Sequence, residues 1–314
     1  MSITSKSPRK VALAALRVAQ GQLSDFGHPN SPHTYTRPQL LACLVLKTFF
    51  RTDYRGIVAI LADTPSLCQA LGLRRLPHFT TLQKASARLL RSAVARRLLH
   101  GAVAADPGHD GHVERAAIDS TGLESRHVSQ HFLWRRSKNA SASKKATYKR
   151  FPKLGIVCDC DTHMILSTMT ARGPTPDYRQ LRPTLLPAVR DVTITTLLAD
   201  AGYDSEANHA FCRDELGIET IIPAEYPRPV GKPPNGRYRR LMFEAFDADR
   251  YGQRWQVETV FSMIKRNLGS AVHARSYWPQ CREMDLLAIT HNIMILRQTG
   301  LFYRALEKPC LAWA

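Results

Sequence analysis

Apolar residues recur at helical spacing through the first third of the chain. Two stripes, in residues 40–45 and 57–61, mark successive amphipathic helices. Thr80 or Thr81 is placed to cap a later helix that runs to about Arg97. Short helices with tight turns favour two interpretations equally: a helix-turn-helix-like DNA-binding unit, or a plain bundle that packs on another domain or dimerises.

Beyond residue 111 the pattern changes to short apolar strands that alternate with helices, which indicates an α/β domain. The predicted elements are strands at Arg115–Ile118, Leu154–Cys158 and Met164–Met169, a helix at Tyr178–Val189, a strand at Val192–Ala199, a helix at Asn208–Leu216 and a strand at Glu219–Pro223. Asp106–Gly111, with one proline and two glycines, predicts a linker. We therefore expect an all-α N-terminal domain at 1–110, an α/β domain at 111–300 and a C-terminal tail at 301–314.

The chain carries 44 Lys and Arg against 26 Asp and Glu, a formal charge of +18. Such an excess indicates a polyanionic partner, either nucleic acid or an anionic membrane surface. The longest apolar stretch, Leu40–Leu46, is far too short to span a bilayer, and we recognise no signal peptide. Nucleic acid is favoured. Seven cysteines, an odd number without CxxC pairs, fit reduced thiols in the cytoplasm.

Two basic segments, Ser125–Lys153 and Tyr226–Leu241, contain no acidic residue. Cations can follow a phosphate backbone, and aromatic rings such as those in the first segment can stack on exposed bases. Both segments therefore predict contact with double-stranded DNA, and the alternative is a solvated basic loop. The side chains expected to bind are Arg135, Arg136, Lys144, Lys145, Lys149, Arg150, Arg237, Arg239 and Arg240.

Cys158, Cys160 and His163 are close enough in sequence to suggest a zinc site. Alternate residues on a strand share one face, however, and a turn at Asp161–Thr162 explains the position of the histidine. We favour the strand and turn over the metal.

Two aspartates directly follow apolar runs that predict strands. Asp119 comes after Ala116–Ile118 and Asp200 after Thr196–Ala199, which places each at a strand end facing a turn. Cleaving a phosphodiester requires charge stabilisation at the attacking and the leaving oxygen, and two Mg²⁺ ions held by carboxylates supply it. The commoner role of an aspartate after a strand is to cap a turn. That alternative stays open for each of the two.

The segment from Tyr251 to Lys265 predicts a helix. At 100° per residue, Tyr251, Arg254, Glu258 and Lys265 fall within an arc of about 60°. One edge thus presents a carboxylate, two cations and a phenol, which can hold a metal ion while gripping phosphates. The alternative is a surface helix with an i,i+4 ion pair between Arg254 and Glu258. The neighbouring apolar face, expected to pack on the sheet, consists of Val257, Val260, Phe261, Ile264 and Leu268.

These residues resemble the DDE transposases of bacterial insertion sequences, in the group that bears a Tyr-x2-Arg-x3-Glu-x6-Lys signature. Tyr251, Arg254, Glu258 and Lys265 meet that signature without a gap. The stretches around the two aspartates and in the helical leader are similar to that group as well. They are Ile118–Thr121, Ala199–Asp204, Tyr54–Gly56, Leu71–Leu73 and Pro77–Phe79.

The resemblance implies a ribonuclease H-like fold with Asp119 on the first strand, Asp200 after the fourth and Glu258 on a late helix. It implies that these three acids hold two Mg²⁺ ions, for which Mn²⁺ substitutes. It also implies that the enzyme cuts at the ends of the element and joins the freed 3′-OH to target DNA. The short interval between Asp200 and Glu258 predicts a compact core without a large inserted domain.

By the same resemblance, Arg254 and Lys265 contact phosphates near the cleaved end with the support of Tyr251, and a homodimer assembles on DNA. Two other classes remain alternatives. One is an inactive or domesticated DNA-binding protein that retains the fold, and the other is a nuclease that cuts without joining strands.

Overall fold

The computed structural model describes residues 4–28, 30, 32–125, 151–224 and 233–296. It shows a mixed α/β protein whose N-terminal part is mostly helical and whose centre is a mixed sheet. The predicted tail at 301–314 lies outside these residues, as does most of the first basic segment.

Within residues 4–125, six helices precede the first strand, and side-chain caps mark where four of them begin. They are α1 (Pro8–Gln22), α2 (Arg37–Phe49), α3 (Tyr54–Asp63), α4 (Pro65–Ala70), α5 (Phe79–Leu89) and α6 (Ser92–Ala104). Thr36 and Gln39 form a capping box at the start of α2. At the start of α3, Asp53 accepts a hydrogen bond from the Gly56 N–H at 2.7 Å. Each cap satisfies backbone donors that the first turn leaves without an intrahelical partner.

The prediction of one helix from Thr80 or Thr81 to Arg97 is wrong. The cap is His78, whose ring nitrogen accepts from the Thr80 N–H at 3.4 Å, and the chain turns between α5 and α6. Leu89 and Leu90, on either side of the end of α5, are each 2% exposed and pack in the core.

The main sheet has five strands in the order β4-β3-β1-β5-β6. Strands β1 and β3, and β3 and β4, pair antiparallel, whereas β5 runs parallel to β1 and β6 parallel to β5. The predicted hairpin is confirmed as β3 and β4. The strands are β1 (His112–Gly122), β3 (Phe151–Asp159), β4 (Ile165–Gly173), β5 (Thr193–Ala199) and β6 (Glu219–Ile221), and a small parallel pair joins β2 (Glu124–Ser125) to β7 (Ala271–Val272).

Strand β1 is longer than the sequence pattern predicts. It continues through Asp119 to Gly122, so the placement of Asp119 at a strand end is wrong. The cause is β3, which pairs with β1 through this whole stretch and sets Asp119 opposite Ile156. On its other edge β1 loses its partner after Ile118, because β5 ends there. Asp119 therefore lies where the sheet opens on one side.

The remaining helices connect and cover the sheet. A 3-10 turn at Asp177–Arg179 precedes α7, a π-helical segment at Phe211–Glu215 follows α8, and a 3-10 turn at Gly252–Arg254 follows α10. The predicted continuous helix from Tyr251 to Lys265 is therefore interrupted at this last turn. The helices are α7 (Leu181–Ala188), α8 (Glu206–Ala210), α9 (Arg237–Glu244), α10 (Ala248–Tyr251), α11 (Trp255–Leu268) and α12 (Tyr277–Ile295).

Helix α12 joins the helical and α/β parts. Its residues from Met284 to Ile295 are all buried, and it contacts α2 and α6 on one side and β4 on the other. A single hydrophobic core consequently runs through both parts. The helical region thus packs as the bundle interpretation expects, while its DNA binding stays a prediction. No helix in the described ranges, α12 included, is long and apolar enough to cross a membrane.

Arg51 ties the helical region to the C-terminal end of α11. Its Nε donates to the Asn267 carbonyl oxygen at 2.9 Å, and its guanidinium also donates to the Arg266 carbonyl oxygen. A cation at these carbonyls satisfies acceptors that the last turn leaves unpaired and complements the helix dipole. The N-terminal part thereby fixes the helix that carries Glu258 and Lys265.

We expect Asn292→Leu to destabilise the fold by about 2–4 kcal/mol, since a buried backbone group without a partner costs about 1–3 kcal/mol. Asn292 is fully buried on α12, where its Oδ1 accepts from the Ile165 N–H at 2.9 Å and its Nδ2 donates to the Ile165 carbonyl at 2.8 Å. Leucine has the same number of side-chain heavy atoms and the same branching, and it would leave both groups unpaired. Urea unfolding of the full chain measures the loss.

Thr290→Val is the matched control on the same helix. Thr290 is fully buried, and its hydroxyl has no hydrogen-bond partner among the described residues. Removing that hydroxyl should therefore leave stability unchanged or raise it slightly. An Asn292→Leu loss no larger than that of Thr290→Val would contradict the account of α12.

Candidate active site

Two of the predicted acids emerge from neighbouring parallel strands. Ile118 of β1 pairs with Ala199 of β5, so the next residue on each strand is Asp119 or Asp200. Ligand sites in α/β sheets lie at the carboxyl ends of such strands. Asp200 also accepts a hydrogen bond from the Gly202 N–H at 2.9 Å and caps the following 3-10 turn. The turn-cap interpretation of Asp200 is thus met, and the two aspartates are nevertheless brought together.

The carboxylate of Asp119 lies in an environment that disfavours its charge. Burial raises the pKa of Asp119 to about 6, and the negative charge of Asp200 adds to the increase. The Ser120 N–H, which donates to Asp119 Oδ1 at 2.7 Å, and the cation of Arg254 act in the opposite direction without cancelling it. Asp119 and Asp200 therefore form a region of negative charge that the protein leaves partly uncompensated.

The third predicted acid reaches the same region from α11. The apolar face predicted for this helix is buried, which turns Glu258 outward with its side chain 58% exposed. Arg254 lies between two of the acids: its Nη1 is 3.8 Å from Asp119 Oδ2, and its Nη2 forms an ion pair with Glu258 Oε1. The i,i+4 ion pair between Arg254 and Glu258, which the alternative interpretation predicts, is therefore present. The same Arg254 guanidinium also faces Asp119.

Lys265 and Tyr251, the other two residues of the predicted signature, contact neighbouring elements. Lys265 Nζ donates to Thr121 Oγ1 at 2.7 Å, which links α11 to the exposed end of β1. Tyr251 is half-buried and packs against the ring of Phe246 at 5.0 Å between centroids. A cleft of about 430 Å³ follows this junction, lined by Asp119, Ser120, Thr121, Glu258, Phe261, Ser262, Lys265 and Arg266.

The three predicted acids offer the oxygen ligands that a hard divalent ion prefers, but their side chains do not lie close together. Within the described ranges, no three side chains among His, Cys, Asp and Glu are close enough to hold a metal ion. Carboxylate oxygens are the ligands that Mg²⁺ prefers, and a divalent cation would relieve the uncompensated charge at Asp119 and Asp200. Glu258 could join them only by leaving Arg254. The residues therefore fit a metal site in which Asp119 and Asp200 are already side by side and Glu258 is still paired with Arg254.

The predicted DNA-binding cations fall into three groups. Arg237 and Arg240 are exposed on α9. Arg239 is engaged differently: its Nη2 lies 2.8 Å from an oxygen of the buried Asp204, so its guanidinium has a structural ion pair. This contact was not expected from the basic pattern. The residues outside the described ranges are Arg135, Arg136, Lys144, Lys145, Lys149 and Arg150.

The sequence pattern did not predict the polar cluster formed by Ser120, Asp177 and Lys153. Lys153, counted within the first basic segment, is 7% exposed and donates to Asp177 Oδ1 at 2.7 Å. Asp177 also accepts a hydrogen bond from the Ser120 hydroxyl at 2.9 Å. The available signal was a single lysine within the apolar alternation of β3. A charged residue in such a position requires a buried partner.

One of the comparisons with known proteins identifies the family of this chain. The model of a family described as "Transposase DDE domain" matches residues 114–293, more than half of the chain. The chain belongs to this family of DDE transposases, and its substrate is accordingly DNA. Asp119, Asp200 and Glu258 all fall within the matched range. A search of curated proteins found no match.

We expect Asp119→Asn to stabilise the metal-free protein above pH 6. Because the folded pKa of Asp119 is about 6 against an ordinary 3.8, the folded chain binds the proton more tightly and loses stability as the pH rises between these values. The uncharged amide avoids this loss. The variant should exceed the wild type at about pH 7.5 by up to about 3 kcal/mol, at about 1.4 kcal/mol per pKa unit. Urea unfolding in chelator measures the difference, which should vanish near pH 3.5.

Asp285→Asn is the matched control, because burial raises the pKa of Asp285 to about 6 as well. Its carboxylate accepts a hydrogen bond from Thr168 Oγ1 at 2.9 Å and does not line the cleft. Mg²⁺ should stabilise the wild type and Asp285→Asn but not Asp119→Asn. Equal responses of the two variants to Mg²⁺ would remove Asp119 from the metal site.

Proposed function

We propose that this protein is an active cut-and-paste transposase that cleaves DNA at transposon ends and joins the freed 3′-OH to target DNA. Asp119, Asp200 and Glu258 are its catalytic carboxylates. One observation carries the proposal: the pairing of Ile118 with Ala199 brings two acids together, and α11 adds the third acid beside them.

The arrangement of the sheet supports a ribonuclease H-like catalytic domain. Three antiparallel strands occupy one side, and β5 and β6 extend the sheet in parallel on the other. Asp119 lies on the first strand of this sheet, and Asp200 follows the fourth. Between Asp200 and Glu258 the structure describes short elements, α8, β6, α9 and α10, around the undescribed residues 225–232.

Asp119, Asp200 and Glu258 would hold two Mg²⁺ ions, or Mn²⁺ in their place. Such ions supply an activated water and stabilise charge on the attacking and leaving oxygens of the phosphodiester. The chain itself provides the geometry: β1 and β5 fix the first two carboxylates, and α11 presents the third. Arg254 balances Glu258 and Asp119 when no DNA is bound, and a phosphate of the substrate can take over its guanidinium.

DNA contacts follow from the charge around the cleft. Lys265 and Arg254 grip phosphates near the cleaved end, with Tyr251 supporting the guanidinium. Arg237 and Arg240, together with the cations of the first basic segment, extend the positive surface along the duplex. Two ends must be brought together for transposition, so the active form is a homodimer on DNA, in the cytoplasm.

Asp119→Asn, Asp200→Asn and Glu258→Gln should each reduce cleavage of terminal-repeat DNA in Mg²⁺ by at least about 10³-fold, since an essential electrostatic group is worth that much. Each should retain DNA affinity within about threefold, because phosphate contacts dominate binding. Gel assays of cutting, strand joining and mobility shift give the three readouts. Glu114→Gln, which changes an exposed acid on the same strand β1, is the matched control.

Retained cutting by any one of these variants would exclude that residue from the site. A wild type that shifts DNA without cutting it would identify a binding protein that has lost its activity. Cutting without joined products would identify a nuclease.

Lys265→Ala should weaken binding to a cleaved-end duplex and reduce the slope of log affinity against log salt by about 1, since one phosphate contact is lost. Thr121→Val is the matched variant. It removes the acceptor of the Lys265 hydrogen bond but leaves the charge, so the salt slope should stay unchanged. An unaltered slope for Lys265→Ala would contradict its phosphate role.

A further inference from the structure

A fourth carboxylate, that of Asp177, lies next to residues that follow Asp119 and Asp200 in the chain. Asp177 begins the 3-10 turn before α7. Its Oδ1 accepts hydrogen bonds from the Ser120 hydroxyl at 2.9 Å and from Lys153 Nζ at 2.7 Å. Ser120 is the residue after Asp119, so Asp177 acts directly on the strand that carries the first acid.

The same side chain borders the second acid. A Cβ placed on Gly202 would stand 3.1 Å from Asp200 Oδ1 and 3.7 Å from Asp177 Oδ2. The carboxylates of Asp200 and Asp177 thus both border Gly202. Tyr203, next in the chain, is 1% exposed. Asp177 therefore lies next to Ser120 and Gly202, which follow Asp119 and Asp200 in the chain.

Lys153 explains how a third negative charge is tolerated here. Its side chain is 9% exposed, and Nζ donates to the Thr175 carbonyl oxygen at 2.8 Å as well as to Asp177. A buried ammonium persists only when it is paired and hydrogen-bonded. The pair is internally neutral, so the Asp177 charge is already compensated, in contrast to that of Asp119.

We infer that Asp177 and Lys153 form a positioning pair that sets the separation of Asp119 and Asp200 through Ser120 and Gly202. Asp177 contacts neither metal nor DNA; it acts through the two residues that follow the catalytic aspartates. This inference rests on the proposed function for the roles of Asp119 and Asp200.

The first test compares Asp177→Asn with the double variant that also carries Lys153→Met. The single change leaves a buried ammonium on β3, opposite Gly122 of β1, without its carboxylate partner, so Mn²⁺ affinity should fall at least about tenfold, with a similar loss of cleavage turnover at saturating DNA. The double variant buries no charge, and its amide oxygen still accepts from Ser120. Its Mn²⁺ affinity should return to within about threefold of the wild type. Electron paramagnetic resonance titration of the protein with Mn²⁺ measures both.

The second test separates the hydrogen bond from the ion pair. Ser120→Ala leaves Asp177 and Lys153 paired but removes the link to β1, so Mn²⁺ affinity should fall by about three- to tenfold. Ser120→Thr keeps a hydroxyl and should restore it. Ser167→Ala removes another buried hydroxyl, which lies on β4, two strands away from β1, and is bonded to the Thr184 carbonyl, and should leave Mn²⁺ affinity unchanged.

A double variant that binds Mn²⁺ as weakly as Asp177→Asn would make Asp177 a direct metal ligand and overturn the inference. Unchanged affinity in Asp177→Asn or in Ser120→Ala would overturn it too. Asp119→Asn in the same titration distinguishes failure of this inference from failure of the proposed function. If that variant binds Mn²⁺ like the wild type, the proposed metal site itself is wrong.

Discussion

The register between β1 and β5 is the constraint on which the site depends. Parallel pairing of Ile118 with Ala199 sets Asp119 and Asp200 beside each other. A slip of one residue would send the side chains of a whole strand to the opposite face. The register is fixed by packing, because the paired residues before the two acids are all fully buried. They are Ala116, Ala117, Ile118, Leu197, Leu198 and Ala199. Hydrophobic burial in the sheet thus enforces the proximity of two negative charges that would otherwise separate.

The third acid is held by weaker means than the first two. Glu258 is exposed on α11 and pairs with Arg254, whose guanidinium also faces Asp119. The helix itself is firmly placed, by its buried face and by Arg51 at its C-terminal carbonyls. The backbone of the site is therefore held by packing and hydrogen bonds, whereas the Glu258 side chain is exposed and paired with Arg254. On the proposed function, a phosphate that engages Arg254 would release Glu258 for metal binding.

Much of this arrangement can be predicted from the sequence because it follows from the local spacing of apolar residues. The hairpin of β3 and β4 and the buried face of α11 depend on apolar spacing, which a single sequence displays. The extension of β1 through Asp119 does not, since it is produced by pairing with a distant strand. Lys153 and Arg239 were read as DNA-binding charge for the same reason. Their partners, Asp177 and Asp204, lie 24 and 35 residues away along the chain, and only the folded backbone brings them within reach.

The central claim is that three acids from two strands and one helix gather around divalent ions when DNA is bound. Anomalous diffraction from crystals of the protein with Mn²⁺ and a cleaved-end duplex tests it most directly. We expect manganese peaks ligated by Asp119, Asp200 and Glu258, with Arg254 released from Glu258 and placed on a phosphate. Manganese bound elsewhere, with the Arg254–Glu258 ion pair intact beside the DNA end, would contradict the claim.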